Sequence, residues 1–192
     1  MYLLIDAALR FLEPQYSLLR NAESDYGNGA FAWLMDLNFL LRATFSLAAV
    51  GAIALAWRLH GWVRTGLALV AMWAVASGLL AFFSDDLAGT PVTTSGRLHV
   101  LLALIAFVAM AVGALSVSVG LAREAGTRAM GFWLTGIAVV GLLVLPLVGR
   151  PPIRLDIGLF ERIFLGVELL WLAAVSWWTY GTAPRMSPSG TA

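Results

Sequence analysis

The chain has no cysteine and no lysine, and charged residues of either sign make up only 12% of its 192 positions. Without cysteine there are no disulfides, no thiol redox chemistry, no iron–sulfur cluster and no thiolate metal site. Without lysine there is no Schiff-base cofactor, retinal included, and no amine nucleophile. All 12 basic residues are arginine. The scarcity of charge excludes more, because a soluble domain carries about a quarter charged residues. A net charge of +1 supplies no field to steer a polyanion, so nucleic acid is not an expected partner. What fills the chain instead is apolar: 60% of residues are hydrophobic and the mean hydropathy is +0.86. That composition excludes a disordered chain and an ordinary cytosolic enzyme. It fits a single polytopic membrane domain.

Five apolar stretches, near 34–57, 65–83, 98–121, 129–149 and 159–180, reach the roughly 20 residues that a bilayer crossing needs. The breaks between them are polar or turn-forming: Arg58 to Gly61, Ser84 to Pro91, Arg123 to Arg128, and Gly149-Arg150-Pro151-Pro152, where proline cannot continue a helix. The expected fold is all-α, a transmembrane helix bundle of five spans over residues 14–183. A short amphipathic helix over 1–13 precedes it and a flexible Pro/Ser/Gly-rich tail over 184–192 follows. In the first 13 residues Asp6, Arg10 and Glu13 recur at helical spacing until Pro14 stops the pattern. This segment is too short and too charged to span, so it is expected to lie in the membrane interface. It lacks the basic start and cleavage site of a signal peptide.

Five spans place the loops at 58–64 and 122–128 and the tail on one side. The N-terminal segment and the loops at 84–97 and 150–158 share the other. Arginines divide evenly: Arg58, Arg64, Arg123, Arg128 and Arg185 against Arg10, Arg20, Arg97, Arg150 and Arg154. Loop charge alone does not orient the chain. The first side is expected to be cytoplasmic, because its loops are short and almost free of acids; the membrane is expected to be the bacterial cytoplasmic (inner) membrane. Trp57, Trp62, Trp133, Trp177 and Trp178 gather near that side as an aromatic belt. Ala109, Gly113, Ser116 and Gly120 form a small-residue stripe on the third span, and Ala71, Ala74, Gly78 and Ala81 form another on the second. Such stripes let helix backbones approach and are expected to be packing surfaces.

The polar residues concentrate at the opposite, loop-rich side: Arg20, Glu23, Ser24, Asp25, Asp36, Asp85, Asp86, Thr93, Thr94, Arg97, His99, Asp156, Glu161 and Arg162. A carboxylate, an imidazole and a guanidinium converging over the mouth of a bundle can bind an anionic headgroup or move a proton. Arg42, well inside the first span, and Glu168, at similar depth in the fifth, are costly in lipid and expected to pair inside the bundle. Glu161 lies two turns above Glu168 on the same face. His60 and His99 sit at opposite ends of the spans, which excludes a bis-histidine haem or a shared metal. No metal or cofactor is expected.

Three ordered blocks carry a resemblance. The first is Pro14-Gln15-Tyr16-Ser17, then Arg20 to Gly27, then Trp33-Leu34-Met35-Asp36. The second is Phe83-Ser84-Asp85-Asp86 followed by Thr94-Ser95-Gly96-Arg97-Leu98-His99, and the third Gly158-Leu159-Phe160-Glu161-Arg162 with Leu170-Trp171-Leu172 behind it. Together, over roughly residues 14–175, they resemble the membrane proteins grouped as domain of unknown function 998. The resemblance implies a multi-pass bundle of no established activity, with signature residues at Ser24, Asp25, Asp86, His99 and Arg162. That family's pattern has a span before the Tyr-Ser element; here the amphipathic segment stands in that place. Ser84 replaces a proline of the pattern, Asp25 a glutamate and Glu161 a glutamine.

The leading expectation is a binding or accessory membrane protein. It would hold a lipid headgroup, a small polar ligand or a partner membrane subunit at the polar mouth. Arg20, Arg97 and Arg162 would contact an anion, and Ser24, Asp25, Asp86 and His99 would complete the site. The first alternative is a membrane-embedded hydrolase or lipid-modifying enzyme with His99 as acid–base and Asp86 or Asp25 as its partner. The second is a proton-coupled carrier using Glu168 and Glu161.

Overall fold

The computed structural model describes residues 2–57, 61–148 and 157–182, and among them it is helical with no strand. Six helices form: α1 (Tyr2–Leu12), α2 (Ala32–Ala56), α3 (Gly61–Leu79), α4 (Thr94–Ala122), α5 (Arg128–Val144) and α6 (Ile157–Thr182). A 3-10 turn, Glu23–Asn28, lies between α1 and α2, and short 3-10 turns extend α3 to Phe82 and α5 to Leu147. Four helical segments, Ala32–Ala56, Gly61–Phe82, Thr94–Ala122 and Arg128–Leu147, are long and apolar enough to cross a membrane. α6 has 26 residues but carries Glu161, Arg162 and Glu168.

The local chemistry explains the boundaries. Pro14 follows the end of α1 and supplies no N–H to continue it. Thr93 caps α4, its hydroxyl accepting from the Gly96 N–H at 3.0 Å. Pro146 sits inside the turn that ends α5. The breaks at His60 and at Arg150 to Pro152, the loop residues Arg58, Arg154 and Asp156, and the 184–192 tail lie outside the described residues.

The most extensive helix contact joins α3 and α4. A Cβ built on Gly113 would stand 2.9 Å from the Gly66 carbonyl oxygen, and one on Gly66 2.7 Å from that of Gly113. Ala109, Gly113, Ser116 and Gly120 are all buried, so the small stripe on α4 is a packing surface. On α3, Gly78 faces Ala43 of α2 instead, and Gly66 meets α4.

Polar side chains point inward. α2 buries Asn38, Arg42 and Ser46, and α6 buries Glu161 and Glu168. α1 follows the same rule, exposing Leu3, Leu4, Phe11 and Leu12 while Tyr2, Leu9 and the following Glu13 are buried. It runs antiparallel to α2, with Tyr2 against Arg42 and Glu13 against Phe31 at the start of α2. Its polar stripe therefore faces the bundle rather than water.

Candidate functional site

The segment between α1 and α2 is folded into the mouth of the bundle. Glu23, Ser24, Asp25 and Tyr26 are each under a tenth exposed. Glu13 anchors one end by accepting from the Phe31 N–H at 2.7 Å and from the Gln15 amide. Arg162 anchors the other. Its Nη1 donates to the carbonyls of Leu18, Asn21 and Gly158 at 3.0–3.2 Å, Nη2 stands 3.7 Å from Asp6, and the guanidinium lies over the Tyr26 ring. A planar fork suits several carbonyls at once. This arginine holds the N-terminal segment to α6.

Beneath that segment runs a buried chain of polar contacts. The Glu23 N–H donates to Glu161 at 2.9 Å, the Tyr2 hydroxyl donates to the Glu23 carboxylate, and Arg42 Nη1 donates to the Tyr2 oxygen at 3.3 Å. The Arg42 guanidinium is enclosed by the rings of Tyr2, Phe39 and Trp73 at 5.2–5.9 Å, within cation–π range. Burial pushes the Glu23 carboxyl up to about 8, and it raises Asp25 against the opposing hydrogen bond from Asn21.

Arg42 and Glu168 are both interior, at 3% and 0% exposed, but no ion pair joins them among the described residues. Their depths match, ten residues after Ala32 and eleven after Ile157. Their directions do not. Arg42 turns to α1 and α3, whereas Glu168 lies against Gly141 of α5, where a Cβ would overlap its carboxylate. Neither Glu168 oxygen has a hydrogen-bond partner there.

A cavity of about 290 Å³ opens beside this network. Ser24, Arg42, Asp85, His99 and Glu161 are polar members of its lining, and the rest of its wall is largely apolar, with Phe39, Leu80, Phe107, Leu145 and Val148. His99 Nδ1 donates to the Phe83 carbonyl at 2.7 Å, because that oxygen can only accept. Its Nε2 then faces Asp85 at 4.0 Å, and Ser24 Oγ donates to the same Asp85 oxygen at 2.9 Å.

Asp85, which sequence reasoning left out of the site, thus takes the place expected for Asp86. Asp86 accepts from the Thr93 N–H and hydroxyl, both at 2.8 Å, and its carboxylate occupies the space where Gly96 lacks a side chain. It braces the start of α4. Ser24 and His99 reach the cavity as expected. Arg20, Asp25 and Asp86 line a shallow recess of about 390 Å³ next to it, sharing Asp85 as the divide. Arg97 is exposed, and Arg162 is engaged with backbone carbonyls. Arg42 was expected as a buried charge and Glu161 as a polar residue of the loop-rich side above Glu168, neither as a residue of the binding site. Their apolar helical setting was the available signal. No group of three or more metal-ligating side chains occurs among the described residues.

A family model described as "Protein of unknown function (DUF998)" matches residues 1–178. No curated protein and no solved structure matches the chain.

Proposed function

We propose that this chain, which belongs to the DUF998 family, is a multi-pass membrane protein that binds the headgroup end of a lipid at one membrane face. α6 supplies a fifth crossing in this reading. Its length of 26 residues, about 39 Å at 1.5 Å per residue, is sufficient, and its charged side chains are turned inward or tied to neighbouring carbonyls. The membrane is proposed to be a bacterial cytoplasmic membrane, with the polar mouth on the non-cytoplasmic side.

One observation carries the lipid reading: a single cavity joins five polar side chains to an apolar wall. Its size suits a small ligand or the head of a larger one, at the lower limit of about 300 Å³. Val100 and Leu104 line it and are also 61% and 58% exposed, so that wall opens sideways between α4 and the turn after α5. A lipid can enter there without leaving the bilayer. Native mass spectrometry of the purified protein tests the reading. Phospholipid is expected to remain on the wild type and to be lost from Ala103→Trp, which fills the cavity. Equal retention by both, or none by either, would sink it.

An acid–base enzyme is the second reading, favoured by His99 and Asp85 facing each other across 4.0 Å beside the same cavity. Ser24 donates to Asp85 and not to His99, which argues against a serine nucleophile. Lipid turnover abolished by His99→Gln would favour it over simple binding.

A further inference from the structure

We propose that the cavity selects a zwitterionic phospholipid whose head ends in a primary ammonium, the phosphate meeting Arg42 and the ammonium meeting Asp85. This rests on the lipid reading above and adds the headgroup class.

The argument starts from Arg42. It is 3% exposed, lines the cavity, and its Nε has no hydrogen-bond partner. Its contacts are a phenol oxygen and three aromatic rings, and among the described residues no carboxylate pairs with it. Glu23 is reached only through the Tyr2 hydroxyl, and burial keeps Glu23 largely protonated at neutral pH. A buried guanidinium with an open donor calls for an anion.

A purely anionic head does not meet the rest of the lining. Among the described lining residues Arg42 is the one arginine, and Asp85 and Glu161 are the acids. A phosphate without a positive group would gain the Arg42 contact and face the Asp85 carboxylate. An amine without a phosphate would leave Arg42 uncompensated. A head carrying both charges satisfies both ends.

The order of charges also matches. Arg42 is ten residues inside α2, about 15 Å along the helix, whereas Asp85 lies in the loop beyond α3. Past Asp85, among the described residues, the surface recess adds Asp25 and Asp86 beside Arg20. The positive group is therefore deep and the negative groups shallow. In a phospholipid of that leaflet the phosphate lies deeper than the amine. The rings enclose Arg42 rather than Asp85, so the shallow end offers carboxylate acceptors to N–H donors and no aromatic cage for a trimethylammonium.

The test is competitive retention on delipidated full-length protein in mixed micelles. They hold equal fractions of phosphatidylethanolamine, phosphatidylcholine and phosphatidylglycerol, and native mass spectrometry reads what stays bound. Phosphatidylethanolamine is expected to exceed phosphatidylglycerol by about tenfold, the scale of one charge-assisted hydrogen bond. Asp85→Asn should erase most of that preference while still retaining lipid. A fold defect would lower all three lipids together, so the ratio is the readout, and the wild-type comparison stands without any variant. Retention of phosphatidylglycerol or phosphatidylcholine equal to phosphatidylethanolamine overturns this inference and leaves lipid binding standing. Retention of no phospholipid overturns both. Displacement of the lipid by free phosphoethanolamine at equal concentration would assign the site to a soluble zwitterion and overturn the lipid.

Discussion

Glu23 shows what a buried acid does to the pH response of this protein. Its carboxyl titrates near 8 in the folded chain and near 4.5 when exposed, chiefly because burial disfavours the charge. Between those values the folded state holds a proton that the unfolded state has released. Stability from this group is therefore greatest below about pH 4.5, falls as pH rises through the window, and levels off above 8. Melting in detergent at pH 5, 6.5 and 8 should show that decline in the wild type. Glu23→Gln should make it shallower and gain stability relative to the wild type at pH 8. A parallel decline in both proteins would place the pH sensitivity elsewhere. The residue scale is also where sequence reading met its limit. Adjacent aspartates are equivalent in a sequence, yet Thr93 and Gly96 claim Asp86 and leave Asp85 to the cavity. The depths of Arg42 and Glu168 followed from counting residues. Their divergence followed from the gap at Gly141, which counting does not reveal.

Helices were legible because apolar runs of about 20 residues leave little choice, and Pro14 stops the short amphipathic pattern before them. Their faces were harder to read. In a bundle surrounded by lipid both the interior and the exterior are apolar, so hydrophobic periodicity does not mark the inside. The few polar residues mark it instead: Asn38, Arg42 and Ser46 on α2, Glu161 and Glu168 on α6. α1 has a plain amphipathic pattern, but the pattern alone does not say whether its polar stripe meets water or protein. Close packing was visible as small residues, though Gly66 was missed because it falls outside the alanine-rich stripe. Gly113→Ala should show what that contact is worth. The added methyl would meet backbone at Gly66, which has no rotamer to change, so a loss of about 1–3 kcal/mol is expected in detergent unfolding. Gly136→Ala, with nothing within 4 Å, should cost nothing and gain a little helix propensity. Equal effects at both positions would mean that the α3–α4 approach carries no special packing.

The whole molecule has two unlike ends. One holds the cavity and the folded-in acidic segment. The other is ringed by tryptophan, with Trp62, Trp133 and Trp177 all more than half exposed and Arg123 stacked over Trp62 at 5.7 Å. Exposed indoles at one level suit a headgroup boundary. The even division of arginines made the orientation illegible from loop charge, because that rule depends on an excess. The structure adds a reason to discount part of the count. Of the arginines counted on the cavity side, Arg20 stands among three aspartates in the recess, whereas Arg123 on the tryptophan side is exposed. Arginines held by local acids are weaker retention signals than free ones, so the tryptophan end should be cytoplasmic. The absence of native cysteine makes a direct measurement possible. Ala88→Cys, in the exposed loop beside the recess, should react with a membrane-impermeant maleimide in intact cells. Ala125→Cys, exposed between α4 and α5, should react only after permeabilisation. The reverse pattern would turn the cavity towards the cytoplasm and make the lipid it samples that of the inner leaflet.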